Sequence, residues 1–487
     1  MNKPRKPFKR QGPAAPSAGP RKGRPFAGPP SGPRGPRPGN RPFGPPQPAV
    51  DPARDRALRA VASQVRRFPD LQIDALDTQE LSDLDAAFAH ALYGAVISRW
   101  LTLRFILESR LNRPDLRPAP AAAAALLVGA AQILLLDRVP IHSAVDTSVE
   151  WVKNAGTPGA GRMVNAVLRA VADLIPEGGK QRRDTITDAA DELPMPDGSA
   201  LVLAKPVLPT DPVQRLSVAT SCPADLIRAW SRDRGMREAR RLALHSLIAP
   251  PVILNTAFAA APLPPECAPH DSPGHHVYTG THEQLAQLLQ SRRDIWAQDP
   301  ASSLAVATAG DLKPSLVVDA CAGLGTKTRQ LAAMFPDADI LAADVDLVRV
   351  QTLRSATAGT RVTVVPYQKL IDYAGKADLV LLDVPCSNTG VLARRVEARY
   401  RFDRENTEKL ASTQRQIIAD SIRLLRPGGR ILYSTCSLDA SENRAQADWA
   451  SRWHGLRLAR EHDRAPQGLP GDPPARYTDG SYAALLE

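Results

Sequence analysis

Two cysteines of this sequence stand where two apolar, β-prone segments end. Cys386 lies in "VLLDVPCSNTG", and Cys436 lies fifty residues later in "ILYSTCSLDASEN". The thiolate is the nucleophilic form of cysteine, so a reactive cysteine needs a partly exposed, electropositive setting. A single cysteine is more often a small buried packing residue. Two of them at neighbouring strand ends, one of them three residues after Asp383, favour covalent chemistry.

The residues around Cys436 suggest how its thiol is activated. Thr435 and Ser437 offer hydroxyl partners, and "SENRAQADWASRW" is expected to begin a helix directly downstream. The positive end of that helix would favour the thiolate. On the other segment, Pro385 fixes the backbone before Cys386 and withholds an N–H.

A glycine-containing loop predicts a second part of the site. "VVDACAGLGTKTRQL" places glycines between a strand and a helix, where the backbone can approach a ligand closely. The following strand ends in Asp344, about twenty residues on, where an acid can bind both hydroxyls of a ribose. Together they indicate an adenosine-containing cofactor. A tight turn, with Asp344 and Asp346 as solvated strand-end residues, is the alternative.

The elements that must position these residues alternate from Leu312 onward. Apolar strand-like runs such as "SLVVDACAG", "DILAADV", "ADLVLLDVP" and "RILYST" alternate with helical segments. This alternation predicts an α/β domain with a mostly parallel, doubly wound sheet. Ligands of such sheets bind at the carboxyl ends of the strands, which is where every candidate residue falls.

The N-terminal half has a different pattern. Apolar residues spaced by three and four predict an all-α domain, with Ser82 or Asp83 capping one helix. The apolar run from Ala119 to Leu136 is near membrane-spanning length, but it contains a proline, a glycine and a glutamine. We therefore expect a buried bundle helix there.

The predicted organisation has five parts. They are a disordered basic Pro/Gly-rich tail (1–53), the helical domain (54–175), a linker (176–210), a small α+β adapter (211–300) and the α/β domain (301–487).

Charge and cysteine usage narrow the function classes. Residues 1–50 hold eleven Lys and Arg and no acid, so the formal net charge of +11 resides there. A tail of this kind is typical of segments that bind nucleic-acid phosphates. The alternative is that the tail only keeps the protein soluble. The five cysteines are widely spaced without a CxxC pair, which argues against zinc and a disulfide framework and favours a reducing cytoplasm. We expect no metal, no membrane span and a monomer.

Phrases in the helical part resemble a known RNA-binding domain. Phe88 and Tyr93-Gly94, "LLLDRVPIHSAV" and "VNAVLR" occur in the order found in the NusB-like domain. The resemblance implies that the helical domain binds RNA.

The α/β part resembles the Sun family of RNA (cytosine-C5) methyltransferases. "DVPCSNTG" and "STCS" with "SEN" are similar to its motifs IV and VI, and "DACAGLGTKT" takes the place of its motif I. "QDPASSL" and "DGSYAALL" also resemble family signatures. With the NusB-like part, the resemblance points to the RsmB branch, which modifies small-subunit ribosomal RNA, and implies a Rossmann-like fold that uses S-adenosylmethionine.

The resemblance implies a role for each candidate residue. Cys436 would attack C6 of cytosine, Cys386 would assist proton removal and release, and Asp383 would bind the cytosine edge near the cofactor. The cofactor would be held by Asp383, Asp344 and the loop residues Cys321, Ala322, Gly323, Leu324, Gly325, Thr326 and Lys327. RNA phosphates would contact Arg394, Arg395, Arg399, Arg401 and Arg404, unless these are a solvated charged face.

The sequence departs from the family pattern in two places. The family's CAAPGGKT reads "CAGLGTKT" here, and Tyr367 stands where an acid is expected after the third strand. These changes bear on cofactor affinity. Two alternatives therefore stay open: methylation of transfer RNA cytosine, and a non-catalytic RNA-binding ribosome assembly factor.

Overall fold

The structure is a computed structural model that describes residues 51–487, except for 74, 112–114, 117–118 and 156–158. The predicted basic tail lies outside the described residues apart from its last three positions, where the first helix already begins at Pro52.

The first domain is a bundle of helices. They are α1 Pro52–Arg67, α2 Asp83–Ser98, α3 Trp100–Glu108, α4 Pro120–Leu135, α5 Ile141–Asn154 and α6 Ala160–Ala172. Ser82 is the residue that caps α2, because its hydroxyl accepts the N–H of Asp85. The residues of helix α4 from Ala122 to Leu134 are buried. The helix is apolar on all sides, as expected for a helix in the centre of a bundle. No helix in the described part of the chain is long and apolar enough to cross a membrane.

The segment predicted as an irregular linker contains a small antiparallel sheet. Its strands are β1 Gln181–Arg183, β2 Glu192–Pro194 and β3 Ala200–Val202, in the order β1-β3-β2. Three-residue strands are too short to show a period in the sequence, which explains why they were not predicted. Leu193 and Leu201 are buried in the core of the helical domain, so the sheet is packed against that domain.

The adapter has the expected α+β composition. It contains α7 Pro212–Thr220, α8 Ala224–Arg234, α9 Met236–His245, β4 Val252–Asn255, β5 Cys267–Pro269, β6 His275–Tyr278, α10 His282–Ser291 and β7 Trp296–Ala297. The four strands form one antiparallel sheet in the order β5-β6-β4-β7.

The C-terminal domain confirms the predicted α/β fold. Its elements are α11 Pro300–Ala307, β8 Leu316–Asp319, α12 Thr326–Met334, β9 Asp339–Ala342, α13 Leu347–Ala356, β10 Val362–Val364, β11 Ala377–Asp383, α14 Arg404–Ile422, β12 Leu425–Thr435, α15 Arg444–His454, β13 Leu458–Arg464 and β14 Ser481–Leu486. The sheet order is β10-β9-β8-β11-β12-β14-β13, with β14 antiparallel to both of its neighbours. The chain reverses direction across the sheet between β8 and β11, and a ligand crevice is expected at such a switch point.

One short segment joins all three parts of the protein. Arg399 is fully buried and donates hydrogen bonds to the carbonyls of Ser98, Thr220, Ser246 and Leu392. The next residue, Tyr400, packs into the core of the helical domain. Its hydroxyl donates to the Ile97 carbonyl at 2.7 Å and lies 3.1 Å from the hydroxyl of Ser221. The helical domain, the adapter and the α/β domain are therefore fixed to one another here.

We predict that Tyr400→Phe lowers the free energy of unfolding by about 1 to 3 kcal/mol, since the Ile97 carbonyl loses a buried partner. Urea unfolding followed by circular dichroism measures this. Tyr373→Phe is the matched control, because no hydrogen bond of that hydroxyl is found among the described residues. An equal effect of the two substitutions would contradict a role for the Tyr400 hydroxyl in joining the domains.

Candidate active site

The two cysteines predicted to lie together do so. Strands β11 and β12 are parallel neighbours with Asp383 opposite Ser434, so the residues that follow both strands leave the sheet side by side. The Sγ atoms of Cys386 and Cys436 are 3.2 Å apart. Parallel pairing thus brings two residues fifty positions apart into direct contact.

The two thiols have different surroundings. Cys386 is buried, and its pKa is raised well above the usual range by its hydrogen bond with Cys436 and by burial. Cys436 is partly exposed, and its thiol lies 3.2 Å from the Oδ1 atom of Asn388. Cys436 is therefore the more accessible thiol of the pair.

The predicted activation of Cys436 was wrong in its details. The Thr435 hydroxyl donates to Asn443, and the Ser437 hydroxyl donates to Glu442, so neither is bonded to the thiol. Helix α15 begins only at Arg444, after irregular backbone at residues 437–439 and turns at residues 440–443. The loop uses its hydroxyls for its own hydrogen bonds.

Glu442 connects the two cysteine loops, and the sequence analysis gave it no role. Its carboxylate accepts the Ser387 N–H at 2.9 Å, and the hydroxyls of Ser387 and of Ser437. It also accepts the side-chain amide of Gln414 at 3.1 Å. The residue after each cysteine is thus bound to one fully buried carboxylate, whose pKa is raised by burial. Glu442 belongs to "SEN", six residues after Cys436, but that motif does not reveal its contacts with Ser387 and Gln414.

The loop after β11 adopts two unusual backbone features. Asn388 has a φ of 60°, a region that asparagine tolerates better than most residues, and its side-chain amide donates to the Cys386 carbonyl. A Cβ atom at Gly390 would lie 2.7 Å from the Cys436 carbonyl oxygen. The N–H of Gly390 donates to that same carbonyl at 2.8 Å. The "SNTG" sequence therefore allows the two loops to approach each other.

Asp383 lies at the carboxyl end of β11 beside a lysine. Lys327 donates to its Oδ2 atom at 2.8 Å, and the Ser434 hydroxyl donates to its Oδ1 atom at 2.8 Å. Burial lowers the pKa of Lys327, but the charge and hydrogen bond of Asp383 outweigh it, so the pKa is raised. The lysine is thus a fixed cation between the glycine loop and the cysteine loops.

The glycine loop joins β8 to α12 as expected. Gly323 and Gly325 have positive φ values of 55° and 90°, and the Gly323 N–H donates to Asp344 at 2.9 Å. The other oxygen of Asp344 accepts the Asp346 N–H at 2.8 Å. Asp344, which follows β9, therefore holds the glycine loop in place through Gly323.

Burial changes the ionisation of two other residues in this region. It raises the pKa of Asp319 to about 7, and one oxygen of that carboxyl has no partner among the described residues. It also raises the pKa of the Cys321 thiol, so that this cysteine remains protonated. Burial also raises the pKa of Tyr367, the residue that stands where the family has an acid.

One cavity of about 570 Å³ is lined by most of the predicted cofactor residues and by Asp383. Its lining includes Cys321, Ala322, Gly323, Leu324, Thr326, Lys327 and Asp383, whereas Gly325, Asp344, Cys386 and Cys436 are not among the lining residues. The lining also includes Arg394 and two acids to which the sequence analysis gave no role, Asp299 and Asp479. The guanidinium of Arg394 is 2.8 Å from Asp479 and 3.3 Å from Asp299. Burial and the charge of Asp479 raise the pKa of Asp299 to about 7.

The predicted phosphate-binding arginines separate into two groups. Arg399 is buried against backbone carbonyls, so the prediction was wrong for this residue. Arg394 is partly exposed and is held by Asp299 and Asp479, and its contact with RNA stays a prediction. Arg395 is exposed at the edge of the cavity. Arg401 and Arg404 are within reach of solvent and pair with Glu397 and Glu408. The spacing of the arginines in the sequence does not distinguish those that join the domains from those that face solvent.

Comparisons with known proteins agree with the geometry. The family model described as 16S rRNA methyltransferase RsmB/F matches residues 310–471, and the NusB family model matches residues 52–173. The chain is 30% identical over 429 residues to the ribosomal RNA small subunit methyltransferase B of Xanthomonas campestris, covering 82% of this chain and 89% of that protein. It is 26% identical to the Vibrio cholerae protein of the same name, covering 84% and 91%.

A solved structure shows the same fold. The crystal structure of PH0851 has a TM-score of 0.64 and 19% identity, and the match covers 90% of this chain and 99% of that one. Both the sequence motifs and the relatives thus agree on the family, and they support S-adenosylmethionine as the cofactor. The chain belongs to the 16S rRNA methyltransferase RsmB/F family and is an S-adenosylmethionine-dependent RNA methyltransferase with an N-terminal NusB domain.

Proposed function

We propose that the protein methylates C5 of a cytosine in small-subunit ribosomal RNA through a covalent bond between Cys436 and C6. The observation that carries this proposal is the pair of thiols 3.2 Å apart beside the Lys327–Asp383 pair. The named relatives act on small-subunit ribosomal RNA, which supports the choice of RNA.

The chemistry explains the need for a thiolate. C5 of cytosine is a weak nucleophile, but addition of the Cys436 sulfur to C6 makes the C5–C6 unit enamine-like and able to take a methyl cation equivalent. S-adenosylmethionine supplies that electrophilic methyl group when it is bound. A base then removes the C5 proton. The electron pair of the broken C5–H bond restores the C5–C6 double bond as the S–C6 bond breaks.

The two thiols suit different steps. Cys436 is more exposed and becomes the attacking group. Cys386 is buried with a raised pKa, so it stays protonated in the resting enzyme and does not compete as a nucleophile. Its contact with Cys436 supports a role in release of the product, and Cys386 can take up the C5 proton only after its own proton has passed to solvent.

Asp383 is the residue proposed to bind the cytosine edge. A carboxylate accepts hydrogen bonds from the exocyclic amino group of cytosine, which distinguishes cytosine from uracil. Lys327 and Ser434 hold one oxygen each, so the carboxylate has a fixed orientation. Preorganisation of this kind lowers the cost of reaching the transition state.

The cavity has the groups that the cofactor requires. The glycine loop presents backbone to it, and the buried Asp319 oxygen without a partner offers an acceptor for an ammonium group. Asp344 is proposed to accept hydrogen bonds from the ribose, in addition to its bond from Gly323. The residues present therefore fit S-adenosylmethionine, although "CAGLGTKT" differs from the family pattern.

The RNA must present an unpaired cytosine. A base stacked inside a helix cannot bring C6 to the partly exposed thiol of Cys436, so the target is expected in a loop or is turned out of its stack. Arg395, which lines the cavity, Arg401 and Arg404 remain proposed phosphate contacts. A reducing cytoplasm suits two thiols in contact, because oxidation would join them.

The two cysteines should fail at different steps. Cys436→Ala should form neither methylated RNA nor a protein–RNA adduct. Cys386→Ala should still attack and transfer methyl but release product slowly, so a covalent complex should survive denaturing electrophoresis. Nucleoside mass spectrometry of the released RNA should find 5-methylcytidine in full yield with the wild type, in reduced yield with Cys386→Ala and not at all with Cys436→Ala. Reversed behaviour of the two variants would exchange their roles, and normal methylation by both would refute the mechanism.

Asp344→Ala should raise KM for S-adenosylmethionine by about 10- to 150-fold, because a hydrogen bond to a buried charged group is worth about 1.5 to 3 kcal/mol. KM for RNA should stay within about twofold of wild type. Asp346→Ala is the control, since it removes the cap of α13 but not the bond to Gly323. Equal changes for both substrates would assign Asp344 a structural role.

Glu442→Ala should lower kcat by about 100-fold, because displacement of a reacting group by about 1 Å has an effect of that order. Glu442→Gln keeps one acceptor oxygen and should recover most of the rate. KM for S-adenosylmethionine should not change, since Glu442 does not contact the glycine loop. Wild-type kcat in Glu442→Ala, with RNA and cofactor saturating, would show that the carboxylate does not position the thiols.

A further inference from the structure

A second groove, of about 620 Å³, lies between the adapter and the α/β domain. Phe258, Arg293 and Trp296 line it from the adapter, and Arg329 lines it from α12. Its floor contains small residues, and Arg361 stands at its edge. We refer to this site, defined by Arg293, Arg329, Arg361, Trp296 and Phe258, as the arginine groove.

Two arginines of the groove have no counter-charge. Neither Arg293 nor Arg329 forms an ion pair with any residue of the described chain. The one acid in the lining, Asp294, is held by both ends of the Arg292 guanidinium at 2.7 Å. Arg361 pairs with Asp339 at 2.8 Å, but both side chains are largely exposed. The groove is therefore cationic.

An aromatic stack holds Arg329 in place. The rings of Phe258 and Trp296 are stacked with centroids 5.8 Å apart, and the Arg329 guanidinium lies 5.1 Å from the Trp296 centroid. Arg329 also donates to the carbonyls of Arg293 and Ile295 at 3.2 and 3.3 Å. Burial and then the positive charge of Arg293 lower its pKa. Two neighbouring cations on a fixed support favour an anionic ligand.

The groove is separate from the cavity of the candidate active site, since the two share no lining residue. Ala338 and Arg361 lie just before strands β9 and β10, at the amino end of the sheet. Cys386, Cys436 and the cofactor loop follow the carboxyl ends of the strands. A ligand of the groove is therefore neither the reacting base nor the cofactor. A long polyanion, in contrast, can reach both edges of a sheet whose four-residue strand β9 spans only about 13 Å.

We propose that the arginine groove binds the phosphate backbone of the RNA substrate at nucleotides distant from the methylated cytosine. Guanidinium groups match phosphate oxygens in pairs, and an arginine on an aromatic face can also stack against a base. This inference rests on the proposed RNA substrate. An acidic protein segment or a small anion would be a different ligand, and the test separates them.

The test measures the binding of a transcribed small-subunit ribosomal RNA fragment between about 50 and 200 mM salt. Two double variants remove charge from the groove. The first is Arg293→Gln with Arg329→Gln. The second is Arg293→Gln with Arg361→Gln, which keeps Arg329 on the Trp296 ring. The control is Arg452→Gln with Arg457→Gln, which has the same net charge and two exposed side chains outside the groove.

The groove variants should weaken RNA binding at low salt by about tenfold or more and flatten the log–log salt slope by about 1.5, as expected for two lost phosphate contacts. At saturating RNA, kcat should stay within about twofold of wild type. RNA binding equal to that of the control pair would overturn the proposal. Inorganic phosphate or AMP that competes as strongly as unlabelled RNA, or polyglutamate that binds with the affinity of RNA, would assign the groove to another anion. Either result would also overturn the proposal.

The outcomes distinguish this inference from the proposed function. If wild-type protein makes no 5-methylcytidine but the groove variants still lose RNA affinity, the reaction is wrong and the groove remains. If the wild type methylates cytosine and the groove variants bind like the control, only the groove is wrong.

Discussion

Parallel pairing of β11 with β12 is the constraint on which the site depends. The register that sets Asp383 opposite Ser434 sends two loops out of the same edge of the sheet. Both loops are then held by the Glu442 carboxylate, which binds the residue after each cysteine. A slip of one residue would turn side chains to the opposite face of the sheet and separate the thiols. Register and buried carboxylate together define the 3.2 Å contact.

The same loops are connected to the rest of the protein. Thirteen positions after Cys386, Arg399 enters a pocket of carbonyls from the helical domain, the adapter and its own segment. The Arg399 cation is buried without a carboxylate, so its carbonyl partners must offset the loss of hydration. The NusB domain is thereby kept in a fixed relation to the cysteine loops. The segment that follows motif IV is a structural joint as well as a charged surface.

Much of this arrangement could be predicted from the sequence, for physical reasons. Alternating strands and helices identify the sheet, and the strand ends identify where Cys386, Cys436, Asp383 and the glycine loop meet. The short strands β1 to β3 could not be predicted, because three residues carry no periodic signal. Arg399 was misassigned because its burial depends on distant carbonyls, which no local pattern reveals. The pairing of Arg394 with Asp299 and Asp479 could not be predicted for the same reason. Glu442 was missed for the same reason: its partners are Ser387 and Gln414, remote in the chain.

The central claim is that Cys436 forms a bond to C6 of a cytosine during methyl transfer to C5. RNA in which cytidine is replaced by 5-fluorocytidine tests it most directly, since fluorine at C5 cannot leave as a proton does and the adduct cannot collapse. Wild-type protein incubated with this RNA and S-adenosylmethionine should form a stable complex, and peptide mass spectrometry should locate the nucleotide on Cys436 with one added methyl group. A nucleotide located on Cys386, or methylation without any trapped complex, would contradict the account.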